Sequence, residues 1–127
     1  MSEGKGCLRV ALVAGTTFTG GDVLSLANPE GADLIITRFI INITTAATGT
    51  PSANAGVAAD GVTSSDNLID GCAIGSAVAH FDNADSTLAG TNGRASQPWD
   101  SDEYVTVTPS ASAVGLVGYA YIEYIRV

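Results

Sequence analysis

A single histidine limits what a chain can do by acid–base or nucleophilic chemistry, and here it is His80, set between Ala79 and Phe81. A nucleophile–His–acid relay would have to be built around that residue alone. The nearest serine, Ser76, lies in a Gly/Ala-rich stretch, and no serine sits in a GxSxG elbow. His80 therefore reads as a solvated or structural side chain. Glu3, Glu30, Glu103 and Glu123 fall at a terminus, in a turn, at a strand start and in the last strand, and nothing in their spacing pairs them for glycoside hydrolysis. Asp60, Asp66, Asp70, Asp82 and Asp85 carry oxygen ligands suited to calcium, but the DxDxDG loop of an EF-hand is absent, so they read as solvated loop residues. Gly90-Thr-Asn-Gly93 lacks the GK[ST] ending of a phosphate loop and reads as a turn. Cys7 and Cys72 stand 65 positions apart with no CxxC or histidine spacing, which favours small buried hydrophobes over a disulfide or a metal site and suits a reducing place of synthesis. Trp99, between Pro98 and Asp100, is either a sugar-stacking platform or the seal at the end of a core or subunit contact; the second is the reading adopted. No catalytic residue, metal or cofactor is assigned, and the chain is not read as an enzyme.

The scaffold around these residues is built from small side chains. Ala, Gly, Ser and Thr fill 58 of 127 positions, which disfavours long helices, while 46% hydrophobic content is enough for one domain with one core, residues 1–127. Thirteen acids against five cations give a net charge of −8, a field that repels phosphate backbones and anionic headgroups; neither nucleic acid nor a membrane is expected as a partner. No apolar run approaches the roughly twenty residues of a membrane span. The Gly-rich Met1 to Gly6 is read as an N-terminal arm, flexible or ordered on a partner, and no signal peptide is read into it.

Strand signals recur along the chain without a sustained helical stripe. Strands are expected at Cys7–Ala14, Asp22–Leu26, Asp33–Thr44, Asn54–Ala58, within a bent Leu68–Phe81 segment, at Glu103–Pro109 and at Gly115–Val127, about eight in all. Asn28-Pro29-Glu30-Gly31 has type I turn chemistry and predicts a tight hairpin between the second and third strands. Ala59 to Asn67 and Asn92-Gly93 read as exposed turns, and Gln97 to Asp100 as a break. The architecture these signals support is an all-β, two-sheet β-sandwich with jelly-roll-like connectivity. Strict alternation along Asp33–Thr44 puts Ile35, Thr37, Phe39, Ile41 and Ile43 on one face and Leu34, Ile36, Arg38, Ile40 and Asn42 on the other, and neither face is polar. The last strand behaves likewise, with Tyr119 and Tyr121 on one side and Ala120, Ile122 and Tyr124 on the other. Such strands imply covering by neighbouring subunits in a homo-oligomer, through an interface drawn from Ile35, Phe39, Ile41, Trp99, Tyr119, Tyr121, Lys5 and Arg9.

The stretch Ala58-Ala-Asp-Gly-Val-Thr-Ser-Ser-Asp-Asn-Leu-Ile-Asp-Gly71, with Gly90-Thr-Asn-Gly93, Glu103-Tyr-Val-Thr106 and Gly115-Leu-Val-Gly-Tyr-Ala-Tyr-Ile122, resembles small structural proteins of tailed bacteriophages and prophages. The resemblance spans roughly Asp33 to Val127 and brings no catalytic residues with it. It implies a virion structural protein of the capsid decoration, or cement, type: a β-rich trimer on the outer capsid surface, made in the host bacterial cytoplasm and bound to the phage major capsid protein. A tail or head-fibre component is the near alternative. A carbohydrate-binding β-sandwich module, using Trp99, Tyr104 and the Asp-rich loops, is an alternative of a different class.

Overall fold

The β-branched and aromatic runs form nine strands in the computed structural model, which describes residues 4–17, 19–76, 79–84 and 96–127. They are β1 (Gly4–Ala11), β2 (Leu24–Ala27), β3 (Leu34–Thr45), β4 (Ala53–Ala58), β5 (Ile69–Cys72), β6 (Ala79–Asp82), β7 (Gln97–Trp99), β8 (Tyr104–Pro109) and β9 (Val117–Arg126). The larger sheet runs β1-β9-β3-β6 and the smaller β2-β8-β4-β5, every pairing antiparallel. β9 occupies one edge of β3 along its length, so β6, opposite Ile40–Ile43, and β7, opposite Leu34–Ile36, share the other edge as two pieces of one interrupted strand. Counting them as one gives eight strand positions that alternate between sheets except at the β4–β5 hairpin, which is jelly-roll connectivity.

Three sequence expectations are corrected here. The Asn28–Gly31 turn does not close a hairpin: β2 pairs with β8 and β3 with β9, so the turn carries the chain from one sheet to the other. Its chemistry is nonetheless local, since Asn28 Oδ1 accepts from the Glu30 and Gly31 amides at 2.9 and 3.1 Å and Gly31 takes φ +65°. The segment read as a break at Gln97 to Asp100 contains β7, because an edge strand can leave the missing Pro98 N–H facing away from the ladder. Gly4 to Gly6 are paired with Arg126 to Tyr124 in β1 and belong to the sheet instead of an arm; Met1 to Glu3 lie outside the described residues. The Asn92-Gly93 turn also lies outside them.

Alternation in β3 is broken once near its middle. Ile36 pairs with Tyr124 and Arg38 with Glu123, so Thr37 is an extra residue, a β-bulge, and parity reverses across it. Leu34 and Ile36 point into the core before the bulge, Phe39, Ile41 and Ile43 after it. Against them pack Ala120, Ile122 and Tyr124 of β9, Val105 and Val107 of β8, and Ala55 and Val57 of β4. Trp99 closes the end of this core: it is 0% exposed, meets Tyr124 edge to face at 6.4 Å and donates from Nε1 to the Glu103 carbonyl at 3.0 Å. Deleting a ring so enclosed leaves both a cavity and a stranded acceptor, so Trp99→Ala is expected to lower unfolding stability by about 3–5 kcal/mol in a denaturant titration. A loss under about 1 kcal/mol would show that the ring is not part of the core.

Candidate functional site

The two sheets treat their outer faces differently. Over the smaller sheet the chain folds back on itself. The 59–68 loop starts with Asp60 Oδ1 accepting from the Val62 amide at 3.0 Å and the Thr63 hydroxyl at 2.7 Å, contacts that hold the Asp60 carboxyl below its ordinary range, the Thr63 bond first. The loop then crosses the sheet. Thr106 Oγ1 donates to the Thr63 carbonyl at 2.9 Å, Ser25 Oγ to the Gly61 carbonyl at 2.9 Å, and the Asn67 amide makes both ladder bonds to Val57, accepting from its N–H at 2.8 Å and donating to its carbonyl at 3.2 Å. Gly56 lies so close beneath Ser65 and Asn67 that a Cβ there would collide with both. This cover explains why Thr106, on the outward side of β8, is completely buried. The outer face of β4 and β8 is thus covered within one chain.

No described segment covers the larger sheet in this way. Its register lines up outward side chains in rows across β1, β9, β3 and the β6/β7 edge: Lys5, Ile125, Ile35 and Pro98; Cys7, Glu123 and Arg38; Arg9, Tyr121, Ile40 and Asp82; Ala11, Tyr119, Asn42 and His80. Arg9 stacks over the Tyr119 ring at 4.0 Å, and Arg38 Nη1 meets Asp82 Oδ2 at 2.9 Å. The bulge residue Thr37 donates to both the carbonyl and the carboxylate of Glu123, at 3.2 and 3.3 Å. Among the described residues this face carries three cations, Lys5, Arg9 and Arg38, against two acids, Asp82 and Glu123, although the molecule carries −8 overall.

Among the residues proposed from sequence for an interface, Ile35, Tyr119, Tyr121, Lys5 and Arg9 come together on this face. Phe39, Ile41 and Trp99 do not: they fill the core of the single chain and present no surface, because the Thr37 bulge turns Phe39 and Ile41 inward. Arg38 and Ile40 are members of the face that strict alternation put on the opposite side of β3, while Ile125 lies with Tyr119 and Tyr121 as alternation along the last strand requires. Cys7, expected to be buried, is exposed opposite Glu123, whereas Cys72 is buried and its thiol is pushed up to about 12 by that burial. His80 is exposed on the same face and Ser76 is exposed in a turn outside the strands. Among the described residues no three His, Cys, Asp or Glu side chains cluster in a metal-ligating arrangement. A Trp99 platform for sugar stacking is excluded by its burial.

One polar clasp fixes the lower rim of the face. Glu30, from the β2–β3 turn, accepts from Tyr124 Oη at 2.6 Å and from Arg126 Nη2 at 3.0 Å, while Arg126 Nη1 donates to the Lys5 carbonyl at 3.0 Å. The clasp ties the start of β1 and the end of β9 to the turn between sheets. The Arg126 hydrogen bond, then that of Tyr124, holds the Glu30 carboxyl below its ordinary range; burial first, then Glu30, pushes the Tyr124 hydroxyl up.

No family model and no curated protein matches the chain. Among solved structures its fold is similar to a chain of the capsid of Ralstonia phage GP4, with a TM-score of 0.58 and 15% identity over 98% of this chain and 85% of that one. At that identity the likeness is one of fold, and it extends over nearly the whole of both chains.

The clasp has a definite pH signature. A carboxyl whose folded pKa is depressed contributes stability above its ordinary value, 4.5 for Glu30, and loses it as pH falls through the lowered one. Wild-type protein is therefore expected to melt above Glu30→Gln at neutral pH, with the gap closing below pH 4.5. A gap independent of pH in thermal melts would show that the Glu30 charge does not contribute.

Proposed function

We propose that this protein is a structural virion component that binds and stabilises the outer surface of a phage capsid, without catalysis, and that the outer face of the β1-β9-β3-β6 sheet is its contact surface. The observation that carries the reading is the fold likeness to a phage-capsid chain over nearly the whole of this chain, joined to a sheet face that no described segment of the chain covers. A jelly roll hosts many activities, so the fold likeness supports the reading without fixing it, and the uncovered face supports the choice of contact surface.

On this reading Tyr119, Tyr121, Ile35 and Ile40 form the apolar and aromatic centre of the contact, with Lys5 and Arg9 at its margin meeting acidic groups of the major capsid protein. Aromatic residues and arginine suit such a role, since they bury large area at low conformational cost. A seam-spanning contact of ordinary size buries on the order of 800 Å² per partner. A homo-oligomer, trimer preferred, would add avidity, because one bound subunit holds the others at high effective concentration.

The test is to assemble shells lacking the protein, add it back and heat them. Binding with a raised disruption temperature is expected, and Lys5→Glu with Arg9→Glu is expected to slow association and flatten its salt dependence. Failure to bind the shell, or recovery of the protein only with tails, would overturn the assignment.

A further inference from the structure

Two of the three arginines among the described residues are spent on acids of their own chain. Arg38 Nη1 meets Asp82 Oδ2 at 2.9 Å, and Arg126 Nη2 meets Glu30 Oε2 at 3.0 Å. Arg9 is the exception: although the chain carries thirteen acids against five cations, no oxygen of the described residues accepts from its guanidinium. The two acids on its face are otherwise engaged, Asp82 by Arg38 and Glu123 by the Thr37 hydroxyl at 3.3 Å.

The unspent guanidinium is nevertheless held in place. In register Arg9 stands opposite Tyr121, and Ala11 opposite Tyr119, yet the Arg9 side chain leans along β1 to lie over the Tyr119 ring at 4.0 Å. A ring beneath the guanidinium engages its flat face and leaves the N–H groups on its edge free to donate. Lys5 is the contrast within the same strand: it is exposed on the same face, a point charge on a flexible stem with no ring under it among the described residues.

A planar fork of donors whose plane is already set matches a carboxylate, whose two oxygens accept in parallel. Phosphates of nucleic acid or of a lipid surface would also fit the fork, but they arrive as polyanions and meet a molecule at −8. A carboxylate on a protein surface arrives singly. Because the plane is set before contact, less rotamer freedom is lost on binding than for a free cation.

We infer that Arg9, held by Tyr119, is a carboxylate-binding site, and that it takes one aspartate or glutamate side chain of the major capsid protein in a two-bond contact. The partner's identity rests on the capsid reading above; the ligand chemistry rests on Arg9 itself. Lys5 contributes charge to the approach, whereas Arg9 decides what is held, so the two residues act on different rates.

Two measurements test this. In the first, binding to shells assembled without the protein is followed in time. Arg9→Lys keeps the charge but loses the fork, and is expected to dissociate roughly tenfold faster with association unchanged, while Lys5→Gln is expected to slow association. An Arg9→Lys protein that dissociates like wild type overturns the inference. So does a changed mass of free Arg9→Lys in light scattering, which would put the carboxylate on a second copy. Wild-type binding to duplex DNA or phosphatidylglycerol vesicles that Arg9→Lys loses would put a phosphate there and overturn it equally. The second measurement needs no shell: acetate is titrated into the free protein and the arginine Nε–H signals are followed by nuclear magnetic resonance. The Arg9 signal is expected to move further than those of Arg38 and Arg126, whose forks are occupied, and to lose that excess in Tyr119→Leu. An Arg9 signal that moves no further than theirs overturns the site. A wild type that ignores shells yet keeps the acetate response refutes the capsid reading alone.

Discussion

A twelve-residue strand paired along its length cannot keep one face in the core when its inward apolar residues fall at Leu34, Ile36, Phe39, Ile41 and Ile43, because side chains alternate with a period of two and the parity slips between Ile36 and Phe39. The extra residue at Thr37 absorbs the slip. The strand is central in the larger sheet, with β9 on one edge and β6 and β7 on the other, so its bulge sets what both edges can present. Ahead of the bulge, Leu34 and Ile36 meet Trp99 and Tyr124; beyond it, Phe39 and Ile41 meet Ile122 and Ala120. Because the parity change leaves Ile35, Arg38 and Ile40 outward, the same device creates the uncovered face.

That face matters because the rest of the sandwich is closed. The 59–68 loop seals the smaller sheet through Thr106, Gly56 and Asn67. What remains uncovered among the described residues is a sheet face richer in cations than the molecule as a whole. In a chain at −8, such a face is a place where an acidic protein can approach closely.

Much of this was legible in the residues. β3, β4, β8 and β9 fall within one or two residues of the runs marked by β-branched alternation, and the two faces of the last strand divide as read, with Tyr119 and Tyr121 opposite Ala120, Ile122 and Tyr124. The jelly-roll order follows the same short strands and turn letters. What failed was whatever depends on the partner strand. Asn28-Pro29-Glu30-Gly31 encodes a reversal but not the sheet that receives the next strand, and Pro98 looks like a breaker unless β7 is known to lie at an edge. The bulge did leave a trace, since Arg38 stands where alternation would have put it with Leu34 and Ile36; reading that charge as a slip in register would have moved Phe39 and Ile41 to the core. The interface reading took strict alternation along Asp33–Thr44 at face value, and so placed on the surface two residues, Phe39 and Ile41, that the bulge turns into the core.

The central claim is that the outer face of the β1-β9-β3-β6 sheet is where this protein meets the shell. A cryo-EM map of shells saturated with it tests that most directly. The account predicts density in which Tyr119, Tyr121 and Ile35 lie against the capsid surface and the 59–68 loop faces away from it. Density with the loop-covered smaller sheet against the shell, or saturated shells with no added density, would contradict it.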